Sequence, residues 1–193
     1  MNIVNVGYDS TNYYVLADHR PRLLIDVGWP GTMPKLQNQC KQKGIALADI
    51  PYFLCTHYHP DHAGLVQELK REGCKLIVVD MQVSAIPVLK TYMKPQYHYV
   101  EIELKDNVVI TLEESRTSLS QVGVAGEIIA TPGHSDDSVS LVLDDGTAFT
   151  GDLTHPLMAT DAPDDPIRQN WDKLRAMGVK TVYPGHGPMA KLP

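Results

Sequence analysis

His57, His59, Asp61 and His62 fall within six consecutive positions of the segment Thr56-His57-Tyr58-His59-Pro60-Asp61-His62. Neutral imidazole and ionised carboxylate are the ligands a borderline ion such as zinc prefers, and chance rarely packs four of them so closely. The chemistry this pattern predicts is metal-dependent. His57 and His59 stand where a strand should end, so both rings converge only if the backbone bends; Asp61 and His62 open the next helix and approach from another direction. One loop thus offers two ligand pairs to two neighbouring ions.

Three further candidates lie far away in sequence: His134 in Thr131-Pro132-Gly133-His134-Ser135, Asp152 in Thr150-Gly151-Asp152, and His186 in Pro184-Gly185-His186-Gly187. Each follows an expected strand and sits beside a glycine or proline that permits a tight loop. A lone histidine in such a loop is more often structural or solvated. Beside the dense cluster, the shared context reverses that reading.

The elements that must carry these residues follow from periodicity. Residues 13–17 and 22–28 read as a β-hairpin around Asp18-His19-Arg20-Pro21. A helix should run from Thr32 to about Lys43, with Pro34 in its first turn and Gly44 as its stop. A strand at 51–56 leads into the histidine cluster, an amphipathic helix at 63–70 follows, and 75–79 reads as the next strand. That order places the cluster on the loop leaving a strand's C-terminal end, where α/β proteins concentrate function. Residues 80–97, interrupted by Pro87 and Pro95, predict broken helices. The pattern then gives a strand at 107–112, a helix at 113–122, and strands at 127–131, 138–143 and 147–150, the last two joined by a hairpin turn at Asp144-Asp145-Gly146. A loop at 161–166, a helix at 166–177 and a strand at 180–183 complete the reading.

A chain of 193 residues can bury a substantial core as one domain, and residues 1–193 are read as one. With 43% hydrophobic and 21% charged residues, disorder is not indicated. The net charge of −6 has the wrong sign for attraction to a phosphate backbone, so no nucleic acid is expected. No basic, apolar leader opens the chain and no apolar run is long enough to span a bilayer. Cys40, Cys55 and Cys74 are odd in number and form no C-x-x-C pair, which fits reduced thiols in the cytoplasm. Cys55 lies in an apolar run and reads as packing, not as a nucleophile.

The set His57-x-His59-x-Asp61-His62, then His134, Asp152 and His186, resembles the signature of the metallo-β-lactamase fold hydrolases. Asp26, at an early strand end and followed by Gly28, matches the family's first motif. The resemblance runs from residue 26 to 187 and implies an α/β fold, a four-layer αββα sandwich of two mixed sheets flanked by helices. It also implies two divalent ions at the edge of the sheets, with Zn2+ the first expectation and Fe or Mn as alternatives. His57, His59 and His134 would hold one ion and Asp61, His62 and His186 the other, with Asp152 bridging them. Asp26 would stand behind the ligands, accepting a hydrogen bond from one imidazole and fixing its tautomer.

With two ions roughly 3.5–4 Å apart, a bridging water ionised near neutral pH would attack an ester, thioester or lactone carbonyl. Asp61 would orient it and Asp152 would accept its proton, making these two the catalytic residues. An aspartate at 152, where the best-known zinc β-lactamases carry cysteine or serine, points away from antibiotic hydrolysis and toward thioesterase, lactonase and phosphodiesterase branches. His59 stands where diiron flavoproteins of this fold use glutamate. The helical extension that grips glutathione in hydroxyacylglutathione hydrolase-like members, expected after His186, has no counterpart in the remaining residues. His155 is a candidate substrate contact, and Arg116 and Arg168 are candidates for an anionic substrate. Two other readings stay open: a mononuclear iron persulfide dioxygenase and a non-catalytic binding protein. The oligomeric state is also open, a homodimer included.

Overall fold

The structure, a computed structural model, describes residues 1–162 and 164–192. Short runs of mostly buried side chains, covered on both faces in the central strands, build two sheets. The first has six strands in order: β1 (Asn2–Asn5), β2 (Tyr14–Ala17), β3 (Pro21–Ile25), β4 (Tyr52–Leu54), β5 (Lys75–Val79) and β6 (Val108–Ile110). β1, β2 and β3 pair antiparallel, and β3 to β6 pair parallel. The second sheet comprises β7 (Gly126–Ala130), β8 (Val139–Leu143), β9 (Thr147–Gly151), β10 (Thr181–Pro184) and β11 (Ala190–Lys191), in the order β11-β10-β9-β8-β7. Only the β9–β10 pair is parallel.

Among the described residues five α-helices accompany them: α1 (Met33–Gln42), α2 (Pro60–Ala63), α3 (Val66–Arg71), α4 (Ser115–Gln121) and α5 (Pro166–Ala176). Period two divides the central strands between two cores. In β3, Leu23 and Ile25 face the second sheet's Leu141 and Phe149, while Leu24 joins Leu36 and Cys40 of α1 and Leu69 of α3. On the far side, Trp171 and Leu174 of α5 pack on Ile129, Val142 and Val182. The result is helices, sheet, sheet and helix in four layers, the expected αββα sandwich of mixed sheets.

The expected hairpin, α1 and the later strands form within a few residues of their anticipated bounds. The helix anticipated at 63–70 is two short helices, α2 and α3, interrupted at Gly64-Leu65, where Gly64 lies so close to the Gly28 and Pro60 carbonyls that no side chain fits. Residues 80–97 form 3-10 turns at Asp80–Gln82, Pro87–Tyr92 and Pro95–Tyr97. β1 and β11 carry no buried period-two stripe, so they escape a pattern-based reading; both are edge strands held by pairing. Within the anticipated 161–166 loop, Pro163 lies outside the described residues. None of the described helices is long and apolar enough to cross a membrane.

Candidate metal centre

Loops leaving the C-terminal ends of β4, β7, β9 and β10 converge at one edge of the sandwich. After Leu54 the chain presents His57 and His59, and α2 opens at Pro60, carrying Asp61 and His62 in its only turn. Asp137 holds this loop in shape: its Oδ2 accepts from the Tyr58 amide at 2.7 Å, between the two histidines. β7 delivers His134 through Pro132-Gly133, whose Pro132 carbonyl accepts a bond from Asn170 Nδ2 of α5. β9 delivers Asp152 and β10 delivers His186.

Among the described residues three groups of potential ligand atoms gather within 4.8 Å: His57, His59 and His134; His57, His62 and Asp152; and Asp61, His62 and His186. Asp152 joins the first and third. Its Oδ1 lies 3.2 Å from His62 Nε2, and its Oδ2 lies 3.4 Å from His186 Nε2 and 3.6 Å from His134 Nε2. Asp61 Oδ2 stands 3.1 Å from His186 Nε2 and 3.4 Å from His62 Nε2. His57 and His62 form a buried floor, His59, Asp61 and Asp152 are half-buried, and His134 and His186 form an exposed rim. The centre is therefore open to a ligand from one side.

These residues fit a metal on structural grounds. His57 Nε2, His62 Nε2 and Asp152 Oδ1 are buried with no hydrogen-bond partner, although His62 Nε2 and Asp152 Oδ1 are 3.2 Å apart. Buried polar atoms are rarely left unpaired, and several orphans aimed at one volume are what an ion would satisfy. Asp26 lies behind them, buried, and His62 Nδ1 donates to its Oδ2 at 2.9 Å. The Thr56 amide and hydroxyl donate to the same carboxylate. Asp26 occupies a left-handed backbone conformation (φ 60), which aspartate tolerates better than most residues.

Charges within the cluster are strongly coupled. Burial, then the neighbouring His62 and His59, holds His57 well below the usual histidine range, in the neutral form that donates a lone pair. For His62 burial acts in the same sense, but the Asp26, Asp152 and Asp61 carboxylates outweigh it and hold the ring well above that range. Burial works against ionisation of Asp61 and Asp152, yet the bonds and charge of His62 keep both carboxyls below their ordinary values.

The sequence profile of the metallo-beta-lactamase superfamily matches residues 6–186. The chain belongs to this superfamily. Among its curated relatives, a probable metallo-hydrolase of Methanocaldococcus jannaschii is 26% identical over 193 residues, covering 94% of this chain and 89% of that protein. An atrochrysone carboxyl ACP thioesterase of Aspergillus fumigatus is 30% identical over 185 residues, which span 92% of this chain and 51% of the thioesterase. Among solved structures, a protein in a di-iron-bound form superposes with a TM-score of 0.71 at 22% identity, over 99% of this chain and 94% of that one. The chain spans 57% and 50% of the length of two further curated relatives.

In this metallo-beta-lactamase superfamily member, all seven expected ligand residues and Asp26 come together, and three residues absent from the sequence reading join them. Ser10, Thr11 and Asn12, in the loop before β2, clamp the Asp61–His186 side. Thr11 Oγ1 donates to Asp61 Oδ2 at 3.1 Å, and His186 Nδ1 donates to the Ser10 carbonyl at 2.7 Å, which leaves Nε2 bare toward the cluster. Asn12 binds the Pro184 and Gly187 carbonyls on either side of His186. The polar run from 9 to 12 signals a turn but gives no sign of partners up to 176 residues away.

His155 lines the same pocket as Asp152, with its Nδ1 accepting the Leu157 amide. Arg116 and Arg168 are engaged by other groups. Arg116 is tied to Glu127 and Asp144, and Arg168 to the Thr160 carbonyl and Asp161. Ser135 and Ser138 pair with each other across a turn. Tyr8, Tyr13, Tyr14 and Tyr58 pack in the cores.

Proposed function

We propose that the chain is a dinuclear metal-dependent hydrolase of a small-molecule ester, thioester or lactone. The observation that carries this reading is the position of Asp152, one carboxylate within 3.6 Å of histidines from both ligand groups. His57, His59 and His134 would hold one ion and Asp61, His62 and His186 the other, with Asp152 shared. Imidazole and carboxylate donors favour Zn2+, with Fe or Mn as alternatives. Bound there, such ions supply a water ionised near neutral pH and a Lewis acid for a carbonyl oxygen.

The protein's own groups do the rest. Asp61, fixed by Thr11, orients the attacking water through its carboxylate, and Asp152 takes the proton released as the water oxygen bonds to the carbonyl carbon. The carbon–sulfur or carbon–oxygen bond then breaks, and that proton leaves with the thiol or alcohol. No side-chain nucleophile takes part: Cys55 is buried, and burial pushes its thiol well above its ordinary value. The relatives named as a metallo-hydrolase and a thioesterase support this class, as does a structural neighbour described with two irons. The three free, buried cysteines support a reducing, cytoplasmic compartment.

The test is metal content per chain on freshly purified protein, with thioester, lactone and phosphodiester probes. About two ions per chain and turnover abolished in Asp61→Ala support the reading. One iron per chain, no hydrolysis and oxygen uptake with a persulfide would sink it.

A further inference from the structure

The metal centre forms one end of a pocket of about 770 Å³ bordered by His134, Asp152 and His186. The pocket extends between α5 and the β10–β11 hairpin, and its direction follows from the register. β10 runs from Thr181, opposite Lys191, through Val182, opposite Ala190, to Pro184, which leads into His186. α5 runs the other way, from Asn170, bonded to the Pro132 carbonyl beside His134, to Arg175. The near end therefore holds the cluster and the far end holds two cations, Arg175 and Lys191, separated from it by about 10 Å of strand.

Leu153, Leu157, Trp171, Val182 and Ala190 line the intervening wall. Leu157 and Met158, 86% and 68% exposed, are the most exposed large apolar side chains among the described residues, and Leu157 stands at the mouth. Adjacent apolar side chains left in water beside a pocket mark a binding surface. At the far end, Lys191 Nζ donates to the neutral Thr181 hydroxyl, and Arg175 contacts Asp172 in an exposed i,i+3 pair of small worth. Both cations are available to a second anion.

We infer that this pocket selects an acyl group with an apolar body and an anionic end. A carbonyl placed beside Asp152 would thread its chain along the Trp171–Val182 wall and set a terminal carboxylate or phosphate between Arg175 and Lys191. The position of the reacting carbonyl rests on the hydrolase reading above; the pocket's preference for an apolar chain with a charged end does not.

Two measurements on the zinc-loaded protein separate the two. The first compares kcat/KM for the suberoyl and octanoyl thioesters of one neutral thiol. The suberoyl compound should lead by about tenfold, and the double variant Arg175→Gln, Lys191→Gln should bring the ratio to about one, as expected for losing exposed charge pairs. The second titrates the unreactive monoamide of suberic acid, against octanamide, by calorimetry. Saturable binding that the double variant weakens about tenfold supports the pocket even if no thioester turns over, in which case only thioester hydrolysis fails. Equal binding of the two amides, or none, overturns the inference. So does self-association abolished by Leu157→Asp in a protein that binds neither amide, which would assign the mouth to a second copy of the chain.

Discussion

Asp26 and His62, thirty-six residues apart, meet through a buried 2.9 Å hydrogen bond in which the ring Nδ1–H donates to Oδ2. The carboxylate also accepts from the Thr56 amide and hydroxyl, so it acts as an acceptor on every side. That forces the proton of a neutral His62 onto Nδ1 and leaves Nε2 bare, facing Asp61 and Asp152. The interior of the fold thereby decides which nitrogen a metal would meet.

Asp26→Asn preserves size but presents an amide whose N–H₂ cannot accept. With its oxygen retained by Thr56, the variant turns a donor toward His62 and favours the opposite tautomer. Affinity for the ion assigned to Asp61, His62 and His186 should fall by about 10–100-fold. Zinc titration with a competing chelator measures it; unchanged affinity for both equivalents would remove the tautomer argument.

Gly185 is packed against the cluster. A Cβ there would lie 2.6 Å from Asp152 Oδ1 and 2.6 Å from His62 Cε1, so Gly185→Ala must displace one of them. Turnover should drop by about a hundredfold, the usual effect of misplacing reacting groups by about an ångström. Circular dichroism should remain that of the parent, because the obstruction lies beyond the end of β10. An active Gly185→Ala protein would show that Asp152 tolerates displacement.

Thr11→Val deletes the donor to Asp61 while keeping the shape. A hydrogen bond to a charged group contributes about 1.5–3 kcal/mol, so binding of the ion assigned to Asp61, His62 and His186 should decline by about tenfold or more. Thr11→Ser should restore it. Identical zinc isotherms for the valine variant and the parent would reduce Thr11 to a packing residue.

Asp165 caps α5, accepting from the amides of Ile167 and Arg168 and from the amide and hydroxyl of Thr160. Led by the Thr160 amide and hydroxyl, these donors hold its carboxyl down at about 2, against an ordinary 3.8. Because the folded value is depressed, the stabilisation is complete above about 3.8 and disappears as pH falls toward about 2. Asp165→Ala should lower the thermal midpoint by about 2–4 °C at neutral pH. The difference from the parent should shrink between about pH 4 and 2. A pH-independent difference would assign the effect to packing.

The candidate ligand set was legible because its chemistry is local. His57, His59, Asp61 and His62 share one loop, and His134, Asp152 and His186 each follow a strand through Gly or Pro. The four-layer architecture was legible from the family resemblance those residues carry, and its strands from short runs rich in β-branched and aromatic residues bounded by turn signals. Less of the ordering around the centre could be read. β1 and β11 lack an apolar stripe, and the close approach of Gly64 to the Gly28 and Pro60 carbonyls is set by packing, not by local sequence.

The sequence by itself determined which residue types could bind metal, because imidazole and carboxylate carry that capacity wherever they stand. Tertiary structure decided the rest: that Thr11 reaches Asp61 and Ser10 reaches His186, and that Arg175 and Lys191, not Arg116 or Arg168, stand at the pocket's far end. Those relationships join segments as many as 176 residues apart. Hydrogen bonds and charge pairs act only over a few ångströms, and which distant segments come that close is set by how two sheets and their helices pack, not by spacing along the chain.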